Sequence, residues 1–117
     1  MSLQIGDVVL ARLPLVTRPG AKVRPVLVVQ DDTNNARMTN TIVAFITTNT
    51  SRSHLPTQVL IDITTPEGQQ SGLLAESVVT CENLITIAQS QARKIGNLPP
   101  SLLRKVDDAL KASLGLA

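Results

Sequence analysis

With 117 residues, 43% of them hydrophobic and 17% charged, the chain is sized for one domain over 1–117 with a packed interior, which excludes a disordered tail. A formal net charge of +2 leans towards anionic partners without the charge density of a sequence-independent nucleic-acid coat. No apolar run approaches the ~20 residues of a spanning helix and no signal-peptide pattern opens the chain, so a cytoplasmic protein away from membranes is expected.

Aromatic content is 1%: Phe45 stands alone, with no Trp or Tyr, so the core must be built from Val, Leu and Ile. The single cysteine, Cys81, excludes an intrachain disulfide and suits a reducing compartment. Its apolar neighbours mark it as a small buried residue rather than a nucleophile, which would need a cationic, partly exposed setting.

Short strand patterns follow one another at turn-sized intervals. Gly6-Asp7 signals a turn, and 8–13 reads as a first strand. The segment 14–22 holds Pro19-Gly20 and reads as a basic loop. In Val23-Arg24-Pro25-Val26-Leu27-Val28-Val29-Gln30 the residue before proline is pushed to extended geometry. Pro25, having no N–H, belongs at the first position of a strand, and 26–30 is predicted as the second. Arg24 is thereby expected at the rim of a packed sheet, its guanidinium fork facing solvent or a phosphate.

The segment 31–40 carries Asp-Asp and Asn-Asn without periodicity and reads as a loop. A third strand is predicted over 41–47, a polar loop over 48–56 and a fourth strand over 59–63. Pro66-Glu67-Gly68 reads as a turn. Further strands are expected at 77–81 and 84–88, with a last edge strand at 93–96.

The period then changes. Leu103, Val106, Leu110 and Leu114 recur at helical spacing, widened by Leu102 and Ala109, opposite Arg104, Lys105, Asp107, Asp108 and Lys111. Pro99-Pro100 is tolerated at the start of a helix and Gly115 at its end. The stripe suits either the chain's own core or a dimer interface. The expected class is therefore mainly β with a C-terminal α-helix, the strands antiparallel in a small barrel.

The chemistry available is narrow. One His and one Cys make no zinc set, no Gly-rich phosphate loop opens a helix, and neither a metal nor another cofactor is expected. His54, alone in a polar loop, reads as solvated despite its useful pKa. What remains is Arg24 together with Ile46-Thr47-Thr48-Asn49-Thr50, where hydroxyls leave the sheet at a strand end. Each alone is ordinary: arginine is a common surface charge and threonine a common strand residue. Together, arginine and hydroxyls suit phosphate recognition and stabilisation of a charged transition state. Arg12, Arg18, Lys22 and Arg24 crowd the first quarter of the chain with only Asp7 against them, which predicts a basic rim.

At these residues the chain resembles the MazF/PemK family of toxin endoribonucleases. The segments that carry the likeness are Gly6-Asp7-Val8, Val23-Arg24-Pro25-Val26-Leu27-Val28 and Val43-Ala44-Phe45-Ile46-Thr47. Leu55-Pro56-Thr57, Ser77-Val78-Val79 and Lys105-Val106-Asp107-Asp108-Ala109-Leu110 follow in the same order. The resemblance implies an SH3-like, CcdB/MazF-like barrel and a homodimer. It also implies metal-independent cleavage of single-stranded RNA and neutralisation by a small antitoxin with a disordered acidic tail. The family's catalytic arginine and threonine match Arg24 and Thr47; Arg18, Lys22, Thr48 and Ser77 are the candidates for holding substrate.

The family's RNA sequence preference does not transfer, because Val9 and the basic stretch 18–22 replace an aromatic and a carboxylate found in some members. With so few aromatics, base recognition must use backbone and polar groups. Two rival readings stay open: a CcdB-like toxin that binds DNA gyrase and cuts nothing, and an inactive member that only binds RNA or antitoxin.

Overall fold

Among the described residues every strand pair is antiparallel, and six strands join in one sheet. The computed structural model describes residues 2–14 and 19–116. The strands are β1 (Asp7–Pro14), β2 (Ala21–Val28), β3 (Asn40–Thr47), β4 (Gln58–Ile61), β5 (Ser77–Ala88) and β6 (Arg93–Asn97). Helices α1 (Asp32–Arg37), α2 (Pro66–Gln69) and α3 (Pro100–Leu114) connect or cover them. The sheet order is β4-β5-β3-β2-β1-β6, so the edge strands β4 and β6 are not paired with each other and the sheet is a half-barrel.

Alternation along the strands sorts the aliphatic residues into two layers. Val8, Leu27, Ala44, Ile46 and Val79 face α3 and bury against Leu102, Val106 and Ala109. On the other face Val9, Ala11, Leu13, Val26, Val28 and Val43 pack with Phe45, Ile85 and Ile87. A single phenylalanine suffices because the coiled sheet covers this second layer itself, leaving Val9, Val26, Val28 and Val43 fully buried. No helix among the described residues is long and apolar enough to cross a membrane.

Several expectations shift in the structure. The second strand begins at Ala21, so Arg24 and Pro25 lie inside it rather than at its mouth. Pro25 is tolerated there because β2 pairs with β1 at Leu10↔Pro25, while its ladder to β3 runs only from Val26↔Phe45 onward. A proline next to a one-sided stretch of strand forfeits no ladder bond on the open side.

The segment expected as a loop over 31–40 contains α1, capped by the Asp31 carboxylate, which accepts from the Thr33 N–H at 3.0 Å. The buried Asn35 ties α1 to the sheet: its Oδ1 accepts from Gln30 Nε2 at 2.9 Å and from the Thr41 hydroxyl at 2.7 Å. The Asp-Asp and Asn-Asn pairs thus serve capping and a buried polar network, which periodicity does not register.

Two predicted strands, 77–81 and 84–88, are one continuous β5. Its register against β3 jumps from Ala44↔Leu84 to Phe45↔Thr80, so Cys81, Glu82 and Asn83 bulge out of the ladder. The turn at Pro66 is the one-turn α2, capped by Thr65, and β4 stops at Ile61 rather than 63.

The α3 stripe is rotated from the predicted one. Leu102, Val106 and Ala109 form its buried centre, Leu103 and Leu110 flank it, and Leu114 stays 55% exposed. The face is thus committed to the chain's own core. Gly115, at φ 70°, closes the helix in the left-handed conformation, its N–H donating to the Lys111 carbonyl.

The open side of the sheet is bridged by close backbone approach. The Asn97 N–H donates to the Gln70 carbonyl at 3.0 Å, and a Cβ on Gly96 would lie 2.4 Å from the Ser71 carbonyl. Only glycine admits that contact. Asp7, almost buried, pairs with Lys94 of β6 at 3.1 Å and pins the same edge.

Candidate active-site cleft

Continuing the β2–β3 register two residues past its last pair, Val26↔Phe45, sets Arg24 opposite Thr47. No ladder forms there, and the two strands part to leave a cleft of about 350 Å³ lined by both residues. Leu13 and Pro14 of β1 wall one side, Phe45 and Ile46 contribute from β3, and Thr80 and Asn83 close the cleft from β5. The proline that sequence reasoning placed at a strand mouth does its work here: β2 crosses the rim extended but unpaired towards β3.

The two residues are equipped differently. Arg24 is exposed and makes no hydrogen bond or ion pair among the described residues, so its guanidinium is available to a ligand. Thr47 is half-buried, and its Oγ1 accepts from the Asn49 N–H at 3.2 Å. That turn holds the hydroxyl oxygen by a lone pair and leaves its proton to be donated. An exposed cationic fork therefore shares the cleft with an O–H donor held by the Asn49 N–H, an arrangement suited to an anionic oxygen.

Of the other predicted residues, Lys22 lies on the cleft side of the β1–β2 hairpin, paired with Leu13 and two positions from Arg24. Arg12, opposite Val23, alternates to the other face, so the expected basic rim is split between two surfaces. Arg18 lies outside the described residues. Thr48 and Ser77 do not join Arg24 and Thr47: both line a separate, apolar pocket of about 350 Å³ with Leu10, Pro25, Leu73 and Leu74. Ser77 is buried there and its hydroxyl donates to the Ala75 carbonyl at 2.9 Å. His54 and Arg52 are exposed in the loop after β3. Among the described residues no three His, Cys, Asp or Glu side chains gather as metal ligands.

Sequence reasoning missed Thr80 and Asn83. Both were read as the tail of one strand and the gap before another. The register jump that brings ladder-paired Thr80 and bulged Asn83 together at the cleft is a tertiary feature, signalled only by polar residues interrupting an otherwise apolar run. Cys81, within the same bulge, is fully buried, and its pKa is pushed up from 9.0 to about 12 by burial and by the neighbouring Glu82 charge. It stays a protonated packing residue.

Comparison with known proteins places the fold and the family. Residues 4–114 match the family model described as PemK-like, MazF-like toxin of type II toxin–antitoxin system. The chain is 39% identical over 118 residues to Endoribonuclease EndoA of Bacillus subtilis (strain 168), covering 99% of this chain and 97% of that protein. Among solved structures it is similar to the Mycobacterium tuberculosis toxin MazF-mt6, at TM-score 0.74 and 30% identity over 95% of this chain and 98% of that one. The fold is also that of a MazE–MazF crystal structure from Deinococcus radiodurans, at TM-score 0.76 and 18% identity over 100% of both chains. A small antiparallel half-barrel with a C-terminal helix is thus the frame of a toxin. The chain belongs to the PemK/MazF family of type II toxin–antitoxin toxins.

Proposed function

We propose that this MazF-like endoribonuclease toxin cleaves single-stranded RNA at the cleft between Arg24 and Thr47, without a metal. The observation that carries the reading is their opposition across the parted end of the β2–β3 ladder, an unpartnered guanidinium facing a hydroxyl whose proton is free. In the proposed reaction the ribose 2′-oxygen bonds to the adjacent phosphorus and the bond to the 5′-oxygen breaks, leaving a 2′,3′-cyclic phosphate and a 5′-hydroxyl. Arg24 stabilises the charge on the phosphorane oxygens, and Thr47 donates a hydrogen bond that holds the phosphate in line. A guanidinium is a poor proton donor, and a threonine hydroxyl is a poor base near neutral pH. Water then takes the 2′-hydroxyl proton and supplies one to the departing 5′-oxygen.

Lys22 on the cleft side, with Arg18 before it, steers the RNA backbone by charge; of the pair in the other pocket, exposed Thr48 serves a flanking nucleotide, while Ser77 is buried with its hydroxyl committed to the Ala75 carbonyl. The antitoxin partner follows from the family and from solved complexes of similar folds. One of them is described as an endoribonuclease in complex with its cognate antitoxin from a mycobacterial species. A disordered acidic tail crossing the rim at Lys22 and Arg24 would compete directly with RNA. We assign the chain a homodimeric state and a cytoplasmic location, where its RNA substrates are found. The gyrase-binding alternative is not favoured, because the relative of 39% identity is named an endoribonuclease.

The test is incubation of the purified chain with mixed-sequence RNA in EDTA, with product ends mapped. Fragments carrying 2′,3′-cyclic phosphate and 5′-hydroxyl ends are expected. Intact RNA, or cleavage that needs added divalent metal, would overturn the reading.

A further inference from the structure

Asn83 has no role in the chemistry above, yet it stands at the cleft on a bulge that leaves its backbone outside the sheet ladder. It is exposed, which is unremarkable for an asparagine; its tether is not. The Thr80 hydroxyl donates to the Phe45 carbonyl at 3.0 Å, so its oxygen has only lone pairs to offer its other neighbour. Asn83 Nδ2 lies 3.4 Å from that oxygen and takes the donor's place. An amide is ambiguous because its oxygen and nitrogen exchange by a flip. Here the relay from Phe45 through Thr80 favours one orientation, directing Nδ2 inward and leaving Oδ1 without a partner among the described residues.

We propose that Asn83 is a specificity-determining residue: its amide reads the polar edge of a base beside the scissile phosphate, and Thr80 is the positioning residue that sets which way the amide faces. The inference rests on the reading of the cleft as an RNA-cleaving site. A single-stranded base can be splayed out to offer its Watson–Crick or Hoogsteen edge, and an amide can meet such an edge through its oxygen and a remaining N–H. Other groups in the cleft are poorer readers. Leu13, Pro14, Phe45 and Ile46 offer no side-chain donor or acceptor, while Arg24 and Thr47 face the phosphate. With no Trp or Tyr and only Phe45 in the chain, stacking cannot replace hydrogen-bond readout across several bases. The Oδ1 acceptor calls for an N–H on the base edge, which an amino or imino group supplies.

The experiment maps the nucleotides flanking every cut in mixed-sequence RNA for the wild-type chain, Asn83→Ala, Thr80→Val and Thr80→Ser. Asn83→Ala is expected to lose about tenfold of the preference at one flanking position, the scale of one good base contact, while cutting continues. Thr80→Val should relax the same position and no other, and Thr80→Ser, which restores the hydroxyl, should recover it. A merely structural threonine would change the melting temperature and leave the preference intact. An unaltered preference in Asn83→Ala, or a loss uniform over all sequences, would overturn the inference while leaving RNA cleavage standing. A wild-type chain that cuts no RNA would remove the reading of the cleft and this inference with it.

Discussion

Replacing Arg24 by lysine separates shape from charge at the proposed site. The side chain is exposed and makes no bond to the fold among the described residues, so the change should cost stability no more than about 0.5 kcal/mol. That corresponds to about 2 °C in melting temperature for a domain of this size. Catalysis should respond very differently. The guanidinium can give two parallel N–H bonds to phosphorane oxygens, whereas an ammonium gives a point contact on a flexible stem. Losing one such pre-organised donor costs about 10²–10³ in rate, or ~2.7–4 kcal/mol of transition-state stabilisation. The assay is kcat/KM on a labelled single-stranded RNA in EDTA, with thermal unfolding of the same preparation. A hundredfold loss at an unchanged melting temperature is expected. Activity within about threefold of wild type would reduce Arg24 to general electrostatics, and a melting temperature lowered by ~10 °C would make it a structural residue.

Thr47→Val keeps shape and strand preference but deletes the donor; turnover should fall with RNA affinity retained, and wild-type rates would remove the hydroxyl from the mechanism. Reversing Arg18 and Lys22 to Glu should weaken RNA and antitoxin together and cut the slope of log affinity against log salt by at least ~1.4, the share of two cations on single strands. Simultaneous, undiminished binding of both ligands would refute a shared surface. Gly96→Ala drives a methyl into the Ser71 carbonyl and should cost at least about 2 kcal/mol, read as a lowered denaturation midpoint; an unchanged midpoint would show that the bridge to β6 yields freely. The Cys81 pKa is raised in the fold to about 12, so its stabilising effect is complete below the ordinary value of 9.0 and fades as pH rises towards 12. Thiol alkylation should therefore stay slow below pH 9.0 while the chain is folded, and rapid labelling at neutral pH would contradict the burial of the thiol.

Local chemistry was enough to place most of the strands. Runs such as Val26-Leu27-Val28 and Ile42-Val43-Ala44 have few alternatives to a buried strand, and the change to helical spacing after Pro99-Pro100 marks α3 without reference to the rest of the chain. Arg24 and Thr47 also stood out in the sequence as two chemically apt residues, given weight by the family likeness, and the structure lines one cleft with both. The sequence could not reveal that α1 exists, since its stability comes from Asp31 capping and from Asn35 bonding to Gln30 and Thr41, contacts that have no period.

Which face each side chain occupies was decided by tertiary structure alone, because a strand's alternation has meaning only once its register is set. The β1–β2 register sent Arg12 away from Lys22 and Arg24, and alternation next to the Thr47↔Val78 pair put Thr48 and Ser77 in a different pocket from Thr47. The same dependence hid Asn83. A three-residue bulge is defined against the partner strand, so only the pairing of β5 with β3 turns a polar interruption at 82–83 into a side chain facing the cleft.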